Sequence, residues 1–254
     1  MKSIVINKDQ NDITPPAVEN AQQSDTTPYD VAHQLAAVQS QIKAATDQRP
    51  PRYGDAPVTL VAVSKRQPEV KIDAALAAGQ RVFGENRVQE ASQRWTGRRT
   101  AYSDLTLHLI GPLQTNKTRL AMELSNTIHT LDRQKLAKNI ARLAQEMGKC
   151  PDLFVQVNTG EEKQKSGISP SETGSFVKEC LSMDLPVKGL MCIPPISEEA
   201  SLHFALLKSI SENCGLQYLS MGMSADFEKA ISFGATHVRV GSAIFGDRVR
   251  PSEQ

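Results

Sequence analysis

The stretch YLSMGMSADFEKAISFGATHVRVGSAIFG, residues 218–246, contains two short strand-like runs separated by one amphipathic segment of helical length. The runs Tyr218–Met221 and His237–Val240 predict strands, and Ala225–Phe233 between them predicts a helix. Two strands that are joined by a crossover helix favour a parallel pair. This strand–helix–strand unit is typical of α/β folds.

The same alternation extends upstream to residue 58. It predicts six further strands, at Val58–Val63, Arg81–Phe83, Thr106–Ile110, Thr127–Leu131, Leu153–Val157 and Val187–Cys192. The helices predicted between these strands are Glu69–Ala78, Arg87–Trp95, Asn116–Leu124, Arg133–Met147, Ser171–Met183 and Glu198–Asn213. Eight strand–helix units predict a single (β/α)8 barrel, with an open doubly wound sheet as the alternative. No GxGxxG motif follows the first strand, which disfavours a dinucleotide-binding open sheet.

The remaining sequence predicts a tail and one further helix. Residues 1–28 are rich in Asn, Gln, Asp, Thr and Pro without apolar periodicity, so we expect a disordered polar extension. Apolar positions from Tyr29 to Thr46 repeat at helical spacing and predict a helix at the start of a barrel domain that spans residues 29–250. A short helix is also predicted directly after the last strand, at Ser242–Phe245.

Composition excludes several classes of protein. Lys and Arg total 29 against 28 Asp and Glu, a net charge of +1, which argues against a surface that binds nucleic acid. The chain has neither a stretch of about 18 apolar residues nor an apolar leader, so we expect a cytoplasmic protein without a membrane span. The four cysteines lack CxxC spacing, and we expect no metal site.

Polar residues follow the predicted strands, at the end of the barrel where such folds place their active sites. The loops after strands seven and eight commonly bind a phosphate. Here these loops offer Ser224, Gly241 and Ser242, because glycine lets backbone N–H groups approach an anion and serine adds a hydroxyl. Ordinary turn glycines and helix-capping serines are the alternative interpretation.

Lys65 and Arg239 are the candidate charged groups of this site. Lys65 follows the apolar run LVAVS, where loss of water favours a neutral, nucleophilic amine, although a solvated or salt-bridged lysine fits the same pattern. Arg239 is predicted to face the ligand and, since arginine keeps its proton, would leave a pyridine nitrogen unprotonated; pairing with a carboxylate is the alternative. Together with a phosphate site, the lysine fits pyridoxal 5′-phosphate (PLP) or a sugar-phosphate aldolase intermediate.

These motifs resemble the pyridoxal phosphate homeostasis proteins, also called PLP-binding proteins, which are related to the barrel domain of bacterial alanine racemase. The matching segments are LVAVSK (60–65), VFGENRVQEA (82–91), HLIGPLQTNKTR (108–119), VNTGEEKQKSGI (157–168), GLMCIP (189–194) and SMGMSADFEKAISFGATHVRVGSAIFG (220–246). The resemblance implies a single barrel of the alanine-racemase type, in which Lys65 holds PLP as an internal aldimine. It also implies roles for seven other residues: phosphate binding by Ser224, Gly241 and Ser242, contact with the pyridine nitrogen by Arg239, and positions near the ring or the imine for Asn86, His108 and Met223.

The resemblance implies a role in intracellular PLP homeostasis without an established reaction, with apo PLP-dependent enzymes as candidate recipients of the cofactor. The alternative is a PLP-dependent amino-acid racemase with His108 as its second base. Such racemases take a tyrosine from an additional β domain, and the chain ends at Gln254, soon after the eighth strand, so we expect no catalytic residue. Lys163 and Lys165 fit either a second PLP acceptor or a solvated loop. We expect a monomer or a weak dimer.

Overall fold

The structure is a computed structural model that describes residues 30–246. Within these residues, eight parallel strands follow one another around a closed barrel. Their bounds are β1 Thr59–Val63, β2 Val82–Glu85, β3 Thr106–Leu109, β4 Thr127–Leu131, β5 Asp152–Gln156, β6 Val187–Met191, β7 Tyr218–Ser220 and β8 His237–Val240. The (β/α)8 prediction is confirmed over the open sheet, because β1 pairs with β8.

Helices connect the strands and cover the outside of the barrel. Their bounds are α1 Val31–Asp47, α2 Glu69–Ala77, α3 Val88–Ala101, α4 Thr118–Leu124, α5 Gln134–Met147, α6 Pro170–Ser182, α7 Ala200–Asn213, α8 Phe227–Ser232 and α9 Ser242–Phe245. The predicted N-terminal helix is α1, which begins after an Asp30 side chain that accepts the His33 N–H. It packs against α8 and α9 through a buried face that contains Leu35 and Val38.

Two observed elements extend clearly beyond their predicted ends. Strand β2 continues through Gly84 to Glu85, since both residues still pair with β3. Helix α3 continues to Ala101 rather than ending at Trp95. Its last turns carry no apolar stripe, and Arg98 instead joins them to the carboxylates of Asp73 and Glu69. The predicted extension 1–28, Tyr29 and the end of the predicted domain at 247–250 lie outside the described residues.

The pairing of the first strand with the last decides where the polar loops meet. Val61 lies opposite Arg239, and Ala62 lies opposite Val240. Lys65 follows β1 and Gly241 follows β8, so these two residues, which are distant in sequence, share the carboxyl end of the barrel. Among residues 30–246, none of the helices combines the length and the apolar character that crossing a bilayer requires.

The barrel interior carries a layer of histidine rings below the carboxyl end. His129 stacks on Phe154 with ring centroids 4.5 Å apart, and His108 and His237 lie 5.0 and 6.0 Å from it. Gly189 makes room for this layer, because a Cβ there would lie 2.8 Å from the Phe154 ring and 2.1 Å from the Tyr218 carbonyl oxygen. The core under the functional end is therefore polar as well as apolar.

Candidate functional site

A pocket of about 310 Å³ opens at the carboxyl end of the barrel. Its walls come from the loops that follow β1, β2, β3, β6, β7 and β8. Seven of the eight predicted site residues line it, namely Lys65, Asn86, Met223, Ser224, Arg239, Gly241 and Ser242. The structure thus brings together residues that follow the first and the last strands of the barrel. It adds Gln67, Ile110 and Ile193 as further wall residues.

The backbone on both sides of Lys65 is held by two buried side chains. The Ser64 hydroxyl donates to Glu85 Oε1 over 2.8 Å. Arg94 donates from Nη1 to the Ser64 carbonyl over 2.9 Å and from Nη2 to the Gln67 carbonyl over 3.1 Å. These bonds fix the points where the chain enters and leaves the turn that carries Lys65.

Glu85 and Arg94 also form a buried ion pair. Glu85 Oε1 and Arg94 Nη1 lie 2.7 Å apart, with side-chain exposures of 0% and 8%. Trp95 Nε1 donates a further hydrogen bond to the same oxygen over 3.1 Å. Burial raises the pKa of Glu85, while the hydrogen bond and charge of Arg94 act in the opposite direction. Removing Arg94 would leave an uncompensated buried carboxylate.

The turn itself has a constrained backbone. Arg66 adopts a φ of 56°, in the left-handed region that a residue with a Cβ seldom occupies. Its N–H donates to Glu90 Oε1 over 2.8 Å, and Glu90 pairs with Arg94 over 3.3 Å. The surrounding ion pairs therefore hold a conformation that the backbone alone disfavours.

Asn86 lines the pocket and carries a buried acceptor that is unpaired within residues 30–246. Its Oδ1 is buried and has no hydrogen-bond partner among the described residues. Gly111 packs directly on its backbone, because a Cβ there would lie 2.3 Å from the Asn86 carbonyl oxygen. A buried acceptor without a donor is unfavourable, so this position suits a ligand that donates a hydrogen bond.

The opposite wall contains converging donors. The backbone N–H groups of Gly241 and Ala243 both point to Ser224 Oγ, over 3.2 and 3.4 Å. The loop that carries Ser224 depends on Gly222, which has a φ of 92° and whose Cβ would lie 2.6 Å from the Ala230 Cβ. Because Ser224 Oγ accepts both of these bonds, its own hydroxyl hydrogen can be donated to an anion.

Arg239 supplies a buried positive charge at the pocket. Its Nη1 donates to Ser220 Oγ over 2.6 Å, and its Nη2 donates to the Cys192 carbonyl over 2.8 Å. Burial lowers the pKa of Arg239, and the nearby Cys192 and Asp226 oppose this. No carboxylate lies within ion-pair distance of the guanidinium in the described part of the chain, so the alternative interpretation of a salt-bridged arginine does not hold.

The structure places His108 away from the pocket. Ile110 occupies the wall position, and His108, two residues earlier on the same side of β3, lies one layer deeper in the barrel. Its Nδ1 lies 2.8 Å from His129 Nε2. Burial, with a contribution from His237, lowers the pKa of His108 to about 3. His108 therefore lies outside the residues that line this pocket, whereas the sequence predicted a position near the ring or the imine.

Lys163 and Lys165 belong to the loop between β5 and α6, and neither lines the pocket. Lys165 Nζ lies 2.5 Å from Glu162 Oε2 and donates to the Pro194 carbonyl over 3.3 Å. This arrangement is typical of a charged surface loop.

Sequence analysis missed the Glu85–Arg94 pair and Ser220. A weak signal for Arg94 was present, because Glu90 and Arg94 stand four residues apart on a predicted helix. No sequence pattern shows that Arg94 reaches across to the backbone of Ser64, since that contact requires α3 to pack beside β1.

Comparison with known proteins agrees with this fold. A family model described as the N-terminal domain of alanine racemase matches residues 32–249. The pyridoxal phosphate homeostasis protein of Pseudomonas aeruginosa is 41% identical over 230 residues, which cover 86% of this chain and 96% of that protein. Its Escherichia coli K12 counterpart is 38% identical over 235 residues, which cover 86% of this chain and 97% of that protein.

The chain belongs to the pyridoxal phosphate homeostasis protein family. The solved structure of PipY from Synechococcus elongatus with PLP bound is also similar to this member of the family. It matches with a TM-score of 0.71 and 36% identity, and the match covers 85% of this chain and 100% of PipY. The resemblance that the motifs indicated is confirmed.

The Arg94→Met variant tests the buried ion pair. We expect its free energy of unfolding to fall by about 3–5 kcal/mol near pH 8, because Glu85 stays buried without its cation. Without Arg94, burial holds the folded-state pKa of Glu85 above the unfolded value. Stability is then lost as the pH rises through that folded-state pKa, so the defect should be smaller at pH 5. Urea unfolding at both pH values measures it.

The matched control is Arg119→Met, which removes a solvent-exposed pair with Glu146. This change should cost less than about 1 kcal/mol at either pH. A defect in Arg94→Met that is no larger than the control, or that does not grow with pH, contradicts the assigned role of the pair.

Proposed function

We propose that this pocket binds PLP, that Lys65 is its covalent attachment point, and that the protein holds intracellular PLP rather than catalysing a reaction. The observation that carries the proposal is the arrangement of three chemically different walls around one pocket: the Lys65 amine, the Ser224 hydroxyl beside the Gly241 N–H, and the buried Arg239, which has no carboxylate within ion-pair distance among the described residues. PLP supplies a matching aldehyde, phosphate and pyridine nitrogen when bound. The names of the relatives and the PLP in PipY support this choice of ligand.

Each wall has a defined task in this proposal. Lys65 would supply the amine that condenses with the aldehyde of bound PLP, with release of water. Ser224, Gly241 and Ser242 bind the phosphate through hydroxyl and N–H donors. Arg239 would donate to the pyridine nitrogen and, because it keeps its own proton, would leave that nitrogen unprotonated. An unprotonated ring is a weak electron sink, so this arrangement binds the cofactor without favouring carbanion chemistry.

Asn86 and Met223 complete the proposed ring environment. The Asn86 Oδ1 offers the acceptor that no described residue satisfies. Met223 lies at the rim with 38% of its surface exposed, where its thioether shields one edge of the pocket.

The lining residues favour a carrier over a racemase. Apart from Lys65, no residue found around the pocket within 30–246 is a His, Tyr, Cys, Asp or Glu, so the wall offers no second acid–base group. A two-base racemase needs one on each face of the substrate. His108 is too deep, and Tyr218 lies at the start of β7, at the opposite end of the barrel. A sugar-phosphate aldolase is disfavoured as well, because no carboxylate is found among the described residues that line the pocket.

The proposal includes a cytoplasmic location, with PLP-dependent apo-enzymes as candidate recipients. All four cysteines are free thiols, as is usual in a reducing compartment. Burial raises the pKa of Cys180 and Cys192 to about 12, which keeps both thiols protonated. The core is complete within one chain, which supports a monomer or a weak dimer.

Borohydride reduction tests the attachment point. After incubation with PLP and reduction, peptide mapping should place a pyridoxyl group on Lys65, and Lys65→Ala should lose this label because no other amine of residues 30–246 lines the pocket. The control Lys165→Ala should keep it. A label confined to the loop of residues 158–168 would show that the attachment point is wrong.

A separate variant tests the phosphate wall. Ser224→Ala should weaken PLP binding about tenfold, since a hydrogen bond to a charged group contributes roughly 1.5–3 kcal/mol. Binding of pyridoxal, which has no phosphate, should stay unchanged. The control Ser232→Ala removes an exposed hydroxyl that bonds the Lys229 carbonyl and should affect neither ligand. Equal losses for both ligands would remove Ser224 from the phosphate site; fluorescence titration measures both.

A further inference from the structure

A chain of hydrogen bonds leads from Arg239 into the barrel interior. Arg239 Nη1 donates to Ser220 Oγ over 2.6 Å. Ser220 Oγ lies 2.8 Å from His129 Nδ1, and His129 Nε2 lies 2.8 Å from His108 Nδ1. All four side chains are buried, with exposures of 4% or less. The four groups therefore form one continuous path below the pocket.

The chemistry of arginine fixes the direction of this path. A guanidinium only donates, so Ser220 Oγ accepts from Arg239. The hydroxyl hydrogen of Ser220 then has His129 Nδ1 as its acceptor. If His129 donated from Nδ1 instead, that hydroxyl hydrogen would have no acceptor among the described residues, which buried hydroxyls rarely tolerate. With Nδ1 accepting, a neutral His129 carries its hydrogen on Nε2 and donates it to His108 Nδ1.

Both rings must be neutral for this pattern, and their surroundings favour that state. Burial, followed by His108, His237 and Arg239, lowers the pKa of His129 well below its ordinary value. Burial and His237 lower the pKa of His108 to about 3. Each ring can therefore accept at one nitrogen and donate at the other near neutral pH.

The hydrogen bonds to Arg239 hold its guanidinium in place without neutralising its positive charge. Ser220 and the Cys192 carbonyl bind different nitrogens of Arg239, and two such bonds define the plane of the group. A carboxylate in the place of Ser220 would cancel the positive charge. A hydroxyl backed by a neutral histidine fixes the orientation and leaves the charge for the ligand.

We infer that Ser220 and His129 are positioning residues for the cofactor, and that the Ser220–His129–His108 chain sets the orientation of Arg239 toward the ligand ring. The identity of that ligand rests on the proposed function. The chain of hydrogen bonds is a property of the protein without ligand and can be tested alone.

Long-range ¹H–¹⁵N NMR of the imidazole rings in the full chain without PLP tests the direction of the path. We expect His129 and His108 to carry their hydrogens on Nε2, with no titration of either ring between pH 6 and 9. A hydrogen on Nδ1 of His129, or titration of that ring in this range, would overturn the inference. No variant is needed, so the result does not depend on a mutant that folds.

Substitution of Ser220 tests the consequence for binding. Ser220→Ala should weaken PLP binding about tenfold and make the absorption maximum of bound PLP change between pH 6 and 8, because a displaced guanidinium no longer keeps the pyridine nitrogen unprotonated. Ser220→Thr retains the hydroxyl and should restore both properties. Ser211→Ala removes another buried hydroxyl, which lies in α7 and donates to the Leu216 carbonyl, and should change stability without changing the spectrum.

The outcomes separate this inference from the proposed function. A folded Ser220→Ala variant with the affinity and spectrum of the unmodified protein would overturn the positioning role. If the unmodified protein itself fails to bind PLP, the proposed function is wrong. The tautomers of His129 and His108 would still decide whether the path of hydrogen bonds exists.

Discussion

The pairing of β1 with β8 is the interaction on which the rest of the structure depends. If a sheet with this strand order stayed open, β1 and β8 would be edge strands with unpaired N–H and C=O groups; here each satisfies the other, and the barrel closes. Closure also places Val61 opposite Arg239, and so brings Lys65 and Gly241 together at the carboxyl end of the barrel. Residues that no local interaction could bring together become opposite walls of one pocket.

Two buried polar networks support that pocket. The charges are paired in one of them, whereas the arginine of the other has only neutral hydrogen-bond partners. The Glu85–Arg94 pair neutralises itself while it holds the backbone beside Lys65. Arg239, by contrast, is held by a hydroxyl and a carbonyl, neither of which carries a charge. The uncompensated charge therefore lies at the ligand pocket, whereas the compensated pair has a mechanical role. A chain with a net charge of only +1 can thus present a positive charge to its pocket through one buried group.

The sequence allowed the barrel and most of the pocket to be predicted. Regular alternation identifies the strands, and a polar residue directly after an apolar run, such as Lys65, must lie at a strand end. The depth of a side chain in the barrel is harder to predict, because alternation tells which side of β3 His108 faces but not which layer of the barrel it occupies. Contacts such as Arg94 with the Ser64 carbonyl depend on how a helix packs beside a strand, and no periodicity encodes that distance.

Lys65 can act as a base at the pocket. Among the described residues, the opposite wall offers no second acid–base side chain. The most direct test follows the Cα proton of L-alanine by NMR in D₂O, with the PLP-loaded protein. We predict exchange no faster than with free PLP at the same concentration, and no D-alanine. Rapid exchange accompanied by racemisation would contradict the proposed carrier role, because both require a Cα carbanion that an unprotonated pyridine ring stabilises poorly.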